Sequence, residues 1–248
     1  MRKNIITTQL SCIPYEKLVN KLVSFSIARQ SSYTCVANVH MCIEAWRDEK
    51  FSKIVNDADL VTADGMPLVK SLKILYNIKQ ERIAGMDLLP DLIKVSEANQ
   101  IKVFFYGGTE DMLSKTRDFC SIHYPRLSIV GMVSPPFRTL TDDEEQAYVD
   151  LINKSDAGFV FVALGCPKQE KWMAKMKGRI TASMVGIGGA LPVMIGLHKR
   201  APVWMQKASL EWMYRLMQEP RRLFRRYALT NCVFLGLIFK EWVVGKRD

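Results

Sequence analysis

The sequence predicts an α/β protein with a mostly parallel sheet, built as two closely packed halves and followed by a C-terminal helical appendage. Between residues 101 and 187, short apolar runs alternate with helix-like segments at the spacing of βαβ units. Residues 1–100 show a weaker form of this alternation, and no Gly-, Ser- or Pro-rich spacer separates the two stretches. Each half is therefore expected to be Rossmann-like, and the predicted regions are 1–100, 101–197 and 198–248.

The individual elements follow from the same patterns. In the second half, strands are predicted at residues 101–106, 127–133, 158–164 and 181–187, with helices near 110–122, 142–154 and 168–178. In the first half, weaker strands are predicted at 5–10, 33–38 and 60–62, with helices near 15–29, 40–56, 66–76 and 86–99. The appendage should hold two helices, about 202–217 and 220–242. Pro220 suits the first turn of the second helix, where a missing N–H costs no hydrogen bond.

The net charge of +10 is concentrated towards the C-terminal end. Residues 198–248 hold 11 Lys and Arg against 4 Asp and Glu, a net of +7, so the preceding residues carry 24 against 21, or +3. This excess indicates an anionic partner. A cationic nucleic-acid-binding protein is one alternative. However, no RNP, KH or zinc pattern occurs and the nearly balanced body offers no basic groove, which disfavours nucleic acid.

The appendage also shows a pattern typical of a helix that lies on a membrane surface. Arg221, Arg222, Arg225 and Arg226 fall on one helix face, and an apolar run that ends in Trp242 follows them. The alternative is a solvated charged face whose apolar side packs on the body. No run reaches the roughly 18 to 20 apolar residues of a transmembrane helix. The lack of paired CxxC motifs and of a secretory leader indicates a reducing cytoplasm.

Glycine-rich turns follow three of the predicted strands, at Gly107 and Gly108, at Gly165, and at Gly188 and Gly189. Loops at the carboxyl ends of parallel strands line one crevice, and glycine there lets backbone N–H groups approach a phosphate. Simple tight turns are the alternative for any one of these loops. The GxGxxG and Walker patterns are both absent, which favours a nucleoside diphosphate over NAD or ATP and disfavours a nicotinamide oxidoreductase. The Pro-rich loop at 134–138 has two open interpretations, contact with the nucleotide or a change of chain direction.

The first half supplies the candidate polar residues. Asp64 follows the strand at 60–62, where it suits either a general base or the N-cap of the next helix. Asn38 and His40 lie at the end of another predicted strand, at 33–38. A lone histidine is more often structural than catalytic. Arg82 shortly precedes Asp87, which is most simply a residue at the start of a helix. The pair Asp57 and Asp59 matches DxD formally, but it precedes a strand and is interpreted as a turn rather than a metal site.

Several motifs together resemble the WecG/TagA/CpsF family of glycosyltransferases, glycosyltransferase family 26. Single motifs are weak, but their order along nearly the whole chain is specific. The matching segments are ADGMP at 63–67, RIAGMD at 82–87, FYGG at 105–108, ALGCPKQE at 163–170, the glycine-rich stretch 186–192, and KRAP at 199–202.

The resemblance implies an inverting, metal-independent transferase without a cofactor, acting in bacterial cell-surface polysaccharide synthesis. Its donor would be a UDP-sugar of the N-acetylmannosamine or hexose type, and its acceptor an undecaprenyl-diphosphate-linked saccharide. The enzyme would be cytoplasmic and peripheral on the inner face of the cell membrane, bound to its anionic surface, with a homo-oligomer left open. The family's proposed base falls on Asp64.

The resemblance also implies roles for other side chains of this sequence. Arg82 and Gln169 correspond to the active-site arginine and glutamine of the family. The arginines that close over the leaving diphosphate would be Arg215, Arg222 and Arg225. Together with the turn glycines identified above from their place at strand ends, Asn38 and His40 are the further predicted substrate-binding residues. One departure is Val36, where many relatives have threonine, so a role for that hydroxyl is not expected here.

Overall fold

The computed structural model describes residues 1–207 and 210–245. Its strands are β1 (Arg2–Ile5), β2 (Thr8–Ser11), β3 (Ser32–Ala37), β4 (Leu60–Ala63), β5 (Val103–Gly107), β6 (Ile129–Val133), β7 (Phe159–Ala163) and β8 (Ser183–Gly186). Its longer helices are α1 (Tyr15–Ile27), α2 (Val39–Arg47), α3 (Glu49–Asn56), α4 (Met66–Tyr76), α5 (Gly85–Ala98), α6 (Glu110–His123), α7 (Asp142–Lys154) and α8 (Lys168–Met176). The chain continues through α9 (Ala190–Met194), α10 (Val203–Lys207), α11 (Glu211–Gln218) and α12 (Pro220–Val244).

Six of the strands form one parallel sheet in the order β4, β3, β8, β7, β5, β6. The β-branched and aromatic run of β7 is almost fully buried, as expected for a strand covered by helices on both faces. The α/β class, the parallel sheet and the helical C-terminal region are confirmed. The helix expected at about 202–217 is wrong in its extent, because the structure has two shorter helices there, α10 and α11, with Leu210 outside both. Because β3 of the first half pairs with β8 of the second, both halves contribute to this single sheet.

Two local differences from the sequence-based elements have clear causes. The single strand expected at 5–10 is a hairpin, since β1 and β2 pair antiparallel around a turn in which Ile6 has φ 59°. A β-branched residue rarely adopts that conformation, so the sequence carries no turn signal there. The helix expected at 40–56 is split at Asp48, which is extended and accepts a hydrogen bond from the N–H of Phe51 to begin α3. The division into 1–100, 101–197 and 198–248 remains a prediction.

The long helix α12 has two apolar faces with different surroundings. Thr230, Phe234 and Ile238 are buried at intervals of four residues, on the side that packs against α2 and α4. Leu235 and Phe239 are each more than 60% exposed and lie on a different face, about 100° further round the helix. We call the exposed apolar row of α12 the apolar stripe, which comprises Phe224, Leu235, Phe239, Trp242 and Val243. Among the described helices, none is both long enough and apolar enough to cross a membrane.

Candidate active site

The candidate site lies at the carboxyl ends of β4, β3 and β8, which are neighbours in the sheet. Two adjoining cavities open there, with volumes of about 160 Å³ and 150 Å³. The tail-side cavity is bounded by the start of α4 and by α11 and α12. The loop-side cavity is bounded by the turns after β7 and β8. Four residues line both cavities: Asn38, Asp64, Met86 and Arg215.

Asp64 stands at the junction of the two cavities. Its backbone N–H donates a 2.8 Å hydrogen bond to the carbonyl oxygen of Ala37, which fixes it at the end of β4 beside β3. The N-cap of α4 is Gly65, and no side chain caps that helix, so the N-cap interpretation of Asp64 is wrong. The carboxyl group of Asp64 is therefore not used to cap α4.

The surroundings of Asp64 shift its pKa into the range of a general base. Burial raises the pKa of this carboxyl from its ordinary 3.8 to about 6. The positive charges of Arg215 and Arg82 oppose that rise, whereas the negative charges of Glu211 and Asp87 add to it. A carboxyl with a pKa near 6 is mostly ionised at neutral pH and is a stronger proton acceptor than an ordinary aspartate.

Arg82 belongs to a network of alternating charges. This network joins the body, residues 1–197, to the residues that follow, which we call the C-terminal segment. Its guanidinium lies 2.5 Å from Glu211 Oε2 and 3.2 Å from Asp87 Oδ2. Arg200 pairs with the other oxygen of Asp87. Asp87 lies in the first turn of α5, as the sequence predicts. Because Glu211 is on α11, this network fastens that helix beside the site.

Arg215 is one turn beyond Glu211 on α11. Its guanidinium lies against Gly189, where a Cβ would come within 2.9 Å of Nη2. Within the described part of the chain, no carboxylate lies within ion-pairing distance of this guanidinium. Arg215 therefore presents a positive charge to both cavities beside Asp64. The side chains of Arg222 and Arg225 lie outside the described part of the structure.

Gln169 occupies the floor of the loop-side cavity. Its Oε1 accepts a 3.0 Å hydrogen bond from the N–H of Gly188, and its Nε2 donates a 2.8 Å bond to Glu170 Oε1. A Cβ on Gly186 would collide with this amide, which is why β8 ends in glycine. Gln169 thus holds the turn after β8 in position. Its role in catalysis remains a prediction.

The other polar residues of the first half lie at the N-terminus of α2. Asn38 caps that helix, since its Oδ1 accepts a 3.2 Å hydrogen bond from the N–H of Met41. His40 Nδ1 lies 3.8 Å from Glu44 Oε1 and lines the tail-side cavity. Both residues border the site, so the prediction that they bind substrate is still open.

The glycine turns do not all share one crevice. Gly165, Gly188 and Gly189 line the loop-side cavity together. Gly108 lines a separate cavity at the ends of β5 and β6, because β5 lies on the far side of β7. Gly107 has φ 105°, and a Cβ at this position would lie within 2.7 Å of the Ala163 backbone. Glycine is therefore required here for the close packing of β5 against β7. The expectation of a single crevice for all of these turns is therefore wrong for Gly107 and Gly108.

The acidic pair Asp57 and Asp59 lies just before the amino end of β4, whereas Asp64 follows its carboxyl end. Asp59 Oδ2 accepts a 2.9 Å hydrogen bond from the N–H of Tyr33 and lies 3.0 Å from Lys177 Nζ. This agrees with its interpretation as a structural turn. Within residues 1–207 and 210–245, no group of three or more His, Cys, Asp or Glu side chains could hold a metal ion.

Sequence reasoning missed the residues that the C-terminal segment adds to the tail-side cavity. These are Gln206, Glu211, Trp212, Thr230 and Asn231. The spacing of Glu211 and Arg215, four residues apart on a predicted helix, puts them on one face and was the available signal. Which way that face turns depends on tertiary packing.

Comparison with known proteins gives the family. The model of the glycosyl transferase WecG/TagA/CpsF family matches residues 3–248. A relative from Bacillus spizizenii is 30% identical over 205 residues, which cover 82% of this chain and 78% of the relative. A relative from Staphylococcus aureus is 28% identical over 213 residues, which cover 84% and 82%.

Both relatives bear the name N-acetylglucosaminyldiphosphoundecaprenol N-acetyl-beta-D-mannosaminyltransferase. The family selects a transferase over a nucleic-acid-binding protein. This chain belongs to the WecG/TagA/CpsF family and is a glycosyltransferase.

Proposed function

We propose that this enzyme transfers an N-acetylmannosamine-type or hexose sugar from UDP to an undecaprenyl-diphosphate-linked saccharide, with inversion at the anomeric carbon and without a metal. The names of the two relatives support this acceptor class and N-acetylmannosamine as the first sugar to test. The observation that carries the proposal is the carboxyl of Asp64. It stands where two cavities meet, has a pKa raised to about 6, and lies in the field of Arg215.

In the proposed reaction, Asp64 removes the proton from the acceptor hydroxyl as that oxygen forms its bond to the anomeric carbon. The bond from the anomeric carbon to the diphosphate oxygen breaks at the same time, and the electron pair leaves with UDP. Asp64 is then protonated and returns its proton to water. A single displacement of this kind inverts the anomeric centre.

The leaving diphosphate gains negative charge in the transition state. Arg215, which lies against the Gly189 turn and has no ion-pair partner among the described side chains, is suited to stabilise it. The diphosphate would therefore occupy the loop-side cavity. Arg222 and Arg225 are the further candidates implied by the family.

The acceptor saccharide would enter from the tail-side cavity, between the start of α4 and the C-terminal helices. Its lining combines Met66 and Trp212 with the polar side chains of Thr230 and Asn231, a mixture that suits a sugar ring with its hydroxyls. The apolar stripe of α12 would rest on the anionic inner face of the bacterial membrane, where a polyprenyl carrier is embedded. One segment would then both dock the enzyme and complete its site.

The test is a UDP-release assay across UDP-sugars, with a short-chain polyprenyl-diphosphate N-acetylglucosamine as acceptor. UDP-N-acetylmannosamine should give acceptor-dependent UDP release and an inverted product. Turnover should persist in EDTA. Absence of UDP release with every donor would overturn the donor class, and loss of turnover in EDTA that is restored by a divalent cation would overturn the metal-independent mechanism.

A further inference from the structure

The helix α11 contacts the body along one of its faces. Glu211, Arg215 and Gln218 are spaced at i, i+4 and i+7, so they lie on the same side of the helix. Glu211 pairs with Arg82, and the guanidinium of Arg215 lies against Gly189. Gln218, the last residue of the helix, lines neither of the two cavities of the site. We infer that Gln218 is a positioning residue for Arg215, an inference that rests on the role of Arg215 in the proposed function.

The side chain of Gln218 makes two hydrogen bonds with the backbone of one residue. Its Oε1 accepts a 3.2 Å hydrogen bond from the N–H of Lys199, and its Nε2 donates a 2.9 Å hydrogen bond to the carbonyl oxygen of the same residue. The side-chain amide supplies the acceptor and the donor that this arrangement needs. We call these two hydrogen bonds the Gln218 clip. Because there are two of them, the clip fixes the orientation of the helix end as well as its distance from the loop.

The clip joins α11 to the same part of the body that Arg215 contacts. Lys199 lies in the loop that follows α9, and α9 begins directly after Gly189. The backbone N–H of His198 donates a 3.1 Å hydrogen bond to the carbonyl oxygen of Pro192, which ties this loop back to α9. The clip therefore sets the distance between α11 and the turn against which Arg215 lies.

The contact around the clip is closely packed. His198 Nδ1 lies 3.1 Å from Glu219 Oε1, next to the clip. The space left between α11 and the loop has a volume of about 10 Å³, which is room for about one water molecule.

The two anchors of α11 lie on either side of Arg215. The pair between Glu211 and Arg82 holds the first residue of the helix, and the clip holds its last residue, about 10 Å further along the axis. The guanidinium of Arg215 therefore keeps its place beside Gly189 only while both anchors are made. A displacement of about 1 Å is enough to cost a catalytic group much of its effect. Loss of the clip should thus weaken the action of Arg215 on the leaving diphosphate without removing its charge.

The test measures UDP release under saturating substrates for Gln218→Ala and Gln218→Met in the full chain. Both variants should lower kcat about tenfold, which is less than the loss expected for Arg215→Ala, because the arginine is still present but less precisely placed. Methionine keeps the length of the side chain and adds no charge, but it cannot donate a hydrogen bond to the carbonyl oxygen of Lys199. Met217→Ala is the matched control and should keep the full rate, since Met217 is 72% exposed and lines neither cavity.

A double variant distinguishes a positioning role from a merely structural one. In Gln218→Ala combined with Arg215→Ala, kcat should equal that of Arg215→Ala alone, because the clip then has no guanidinium left to position. A structural role would instead make the two losses multiply.

Hydrogen exchange tests the clip independently of turnover. The backbone amides of α11 should exchange faster in Gln218→Ala than in the unaltered protein, because one anchor of the helix is lost. Met217→Ala should exchange like the unaltered protein.

The outcomes separate this inference from the proposed function. If Arg215→Ala is slow but Gln218→Ala keeps the full rate, or if the two losses multiply, the positioning role is wrong and the transferase proposal stands. Unchanged hydrogen exchange of α11 in Gln218→Ala would overturn the clip in the same way. If Arg215→Ala keeps the full rate, the role of Arg215 is wrong and the inference fails with it. If the unaltered enzyme releases no UDP with any donor, the proposed function is wrong as well.

Discussion

The body and the C-terminal segment contribute to the site in opposite ways. The body supplies Asp64 at the end of a buried strand, fixed by a backbone hydrogen bond to Ala37. The C-terminal segment supplies Glu211 and Arg215 from α11, and none of the residues of that helix, all of them described, is buried. The carboxyl of Asp64, the proposed base, is thus held by the sheet, while Glu211 and Arg215, whose charges shift its pKa, stand on a lightly packed helix. Catalytic competence should therefore depend on the docking of this segment.

The two regions also differ in how much apolar surface they expose to solvent. The central strands β5, β7 and β8 of the body are buried almost throughout, whereas α12 leaves its apolar stripe in solvent. Because most of the net positive charge, +7 of +10, also lies after residue 197, the C-terminal segment combines the two properties that bind a helix to an anionic bilayer. The predictions below test this division of labour, beginning with the largest expected effect.

Replacement of the base should have the largest effect on turnover. Asp64→Asn should lower kcat by about a thousandfold, within the range of general base catalysis. The measurement is UDP release under saturating substrates, with the fold checked by circular dichroism. Asp57→Asn, before the amino end of β4 and so at the other end of that strand, is the matched control and should be fully active. A fully active Asp64→Asn would remove Asp64 as the base.

The same substitution should stabilise the fold in a pH-dependent way. The folded-state pKa of Asp64 is raised above its unfolded value, so ionising this carboxyl costs stability as the pH rises from 3.8 to about 6. The shift corresponds to at most about 3 kcal/mol above pH 6. Asp64→Asn should therefore gain unfolding free energy over the unaltered protein at pH 8 relative to pH 4, measured by urea denaturation. An equal difference at both pH values would contradict the buried carboxyl.

Loss of the cation from the C-terminal segment should cost less than loss of the base. Arg215→Ala should reduce kcat about a hundredfold, comparable to removal of one group that stabilises transition-state charge. Arg215→Lys should recover part of the rate. Arg117→Ala, an exposed arginine on α6, is the control and should be unaffected. Unchanged turnover in Arg215→Ala would show that the segment serves as an anchor or packing element only.

Membrane binding should depend on the apolar stripe. The double variant Leu235→Ser with Phe239→Ser should bind vesicles of anionic lipid about tenfold more weakly in sedimentation assays, because two exposed apolar side chains lose their burial in the bilayer. The control pair is Ile74→Ser with Ile122→Ser, which removes exposed apolar side chains from the body. Equal loss in both pairs would argue against a specific docking face.

Much of the fold follows from the sequence because the central strands are strongly apolar and regularly spaced. The predicted strands at 158–164 and 181–187 enclose β7 and β8, and the predicted helix at 142–154 matches α7. The short helix α9 was not predicted, since five residues carry too little periodicity. The hairpin at Ile6 was missed because its turn contains no residue that favours a positive φ.

The candidate site was partly predictable for a different reason. Asp64 and Asn38 follow the carboxyl ends of neighbouring parallel strands, so the topology alone places them close together. Gly108 does not line the same cavity as Gly188 and Gly189, as the sequence analysis expected, because the position of β5 beyond β7 is a matter of strand order, which spacing does not reveal. Glu211 was missed because its contact with Arg82 depends on how the C-terminal segment docks. Tertiary packing, rather than local pattern, decides both cases.

The most direct test of Asp64 as a base tuned by the C-terminal segment is the pH dependence of kcat/KM. Asp64 must be ionised to accept a proton, so kcat/KM should rise with pH through about 6. Glu211→Gln removes a negative charge that raises the pKa and should move this rise to lower pH. Arg215→Ala removes a positive charge that lowers the pKa and should move it to higher pH. Shifts in opposite directions are the predicted result, whereas a rise near pH 6 that stays in place in both variants would contradict the account.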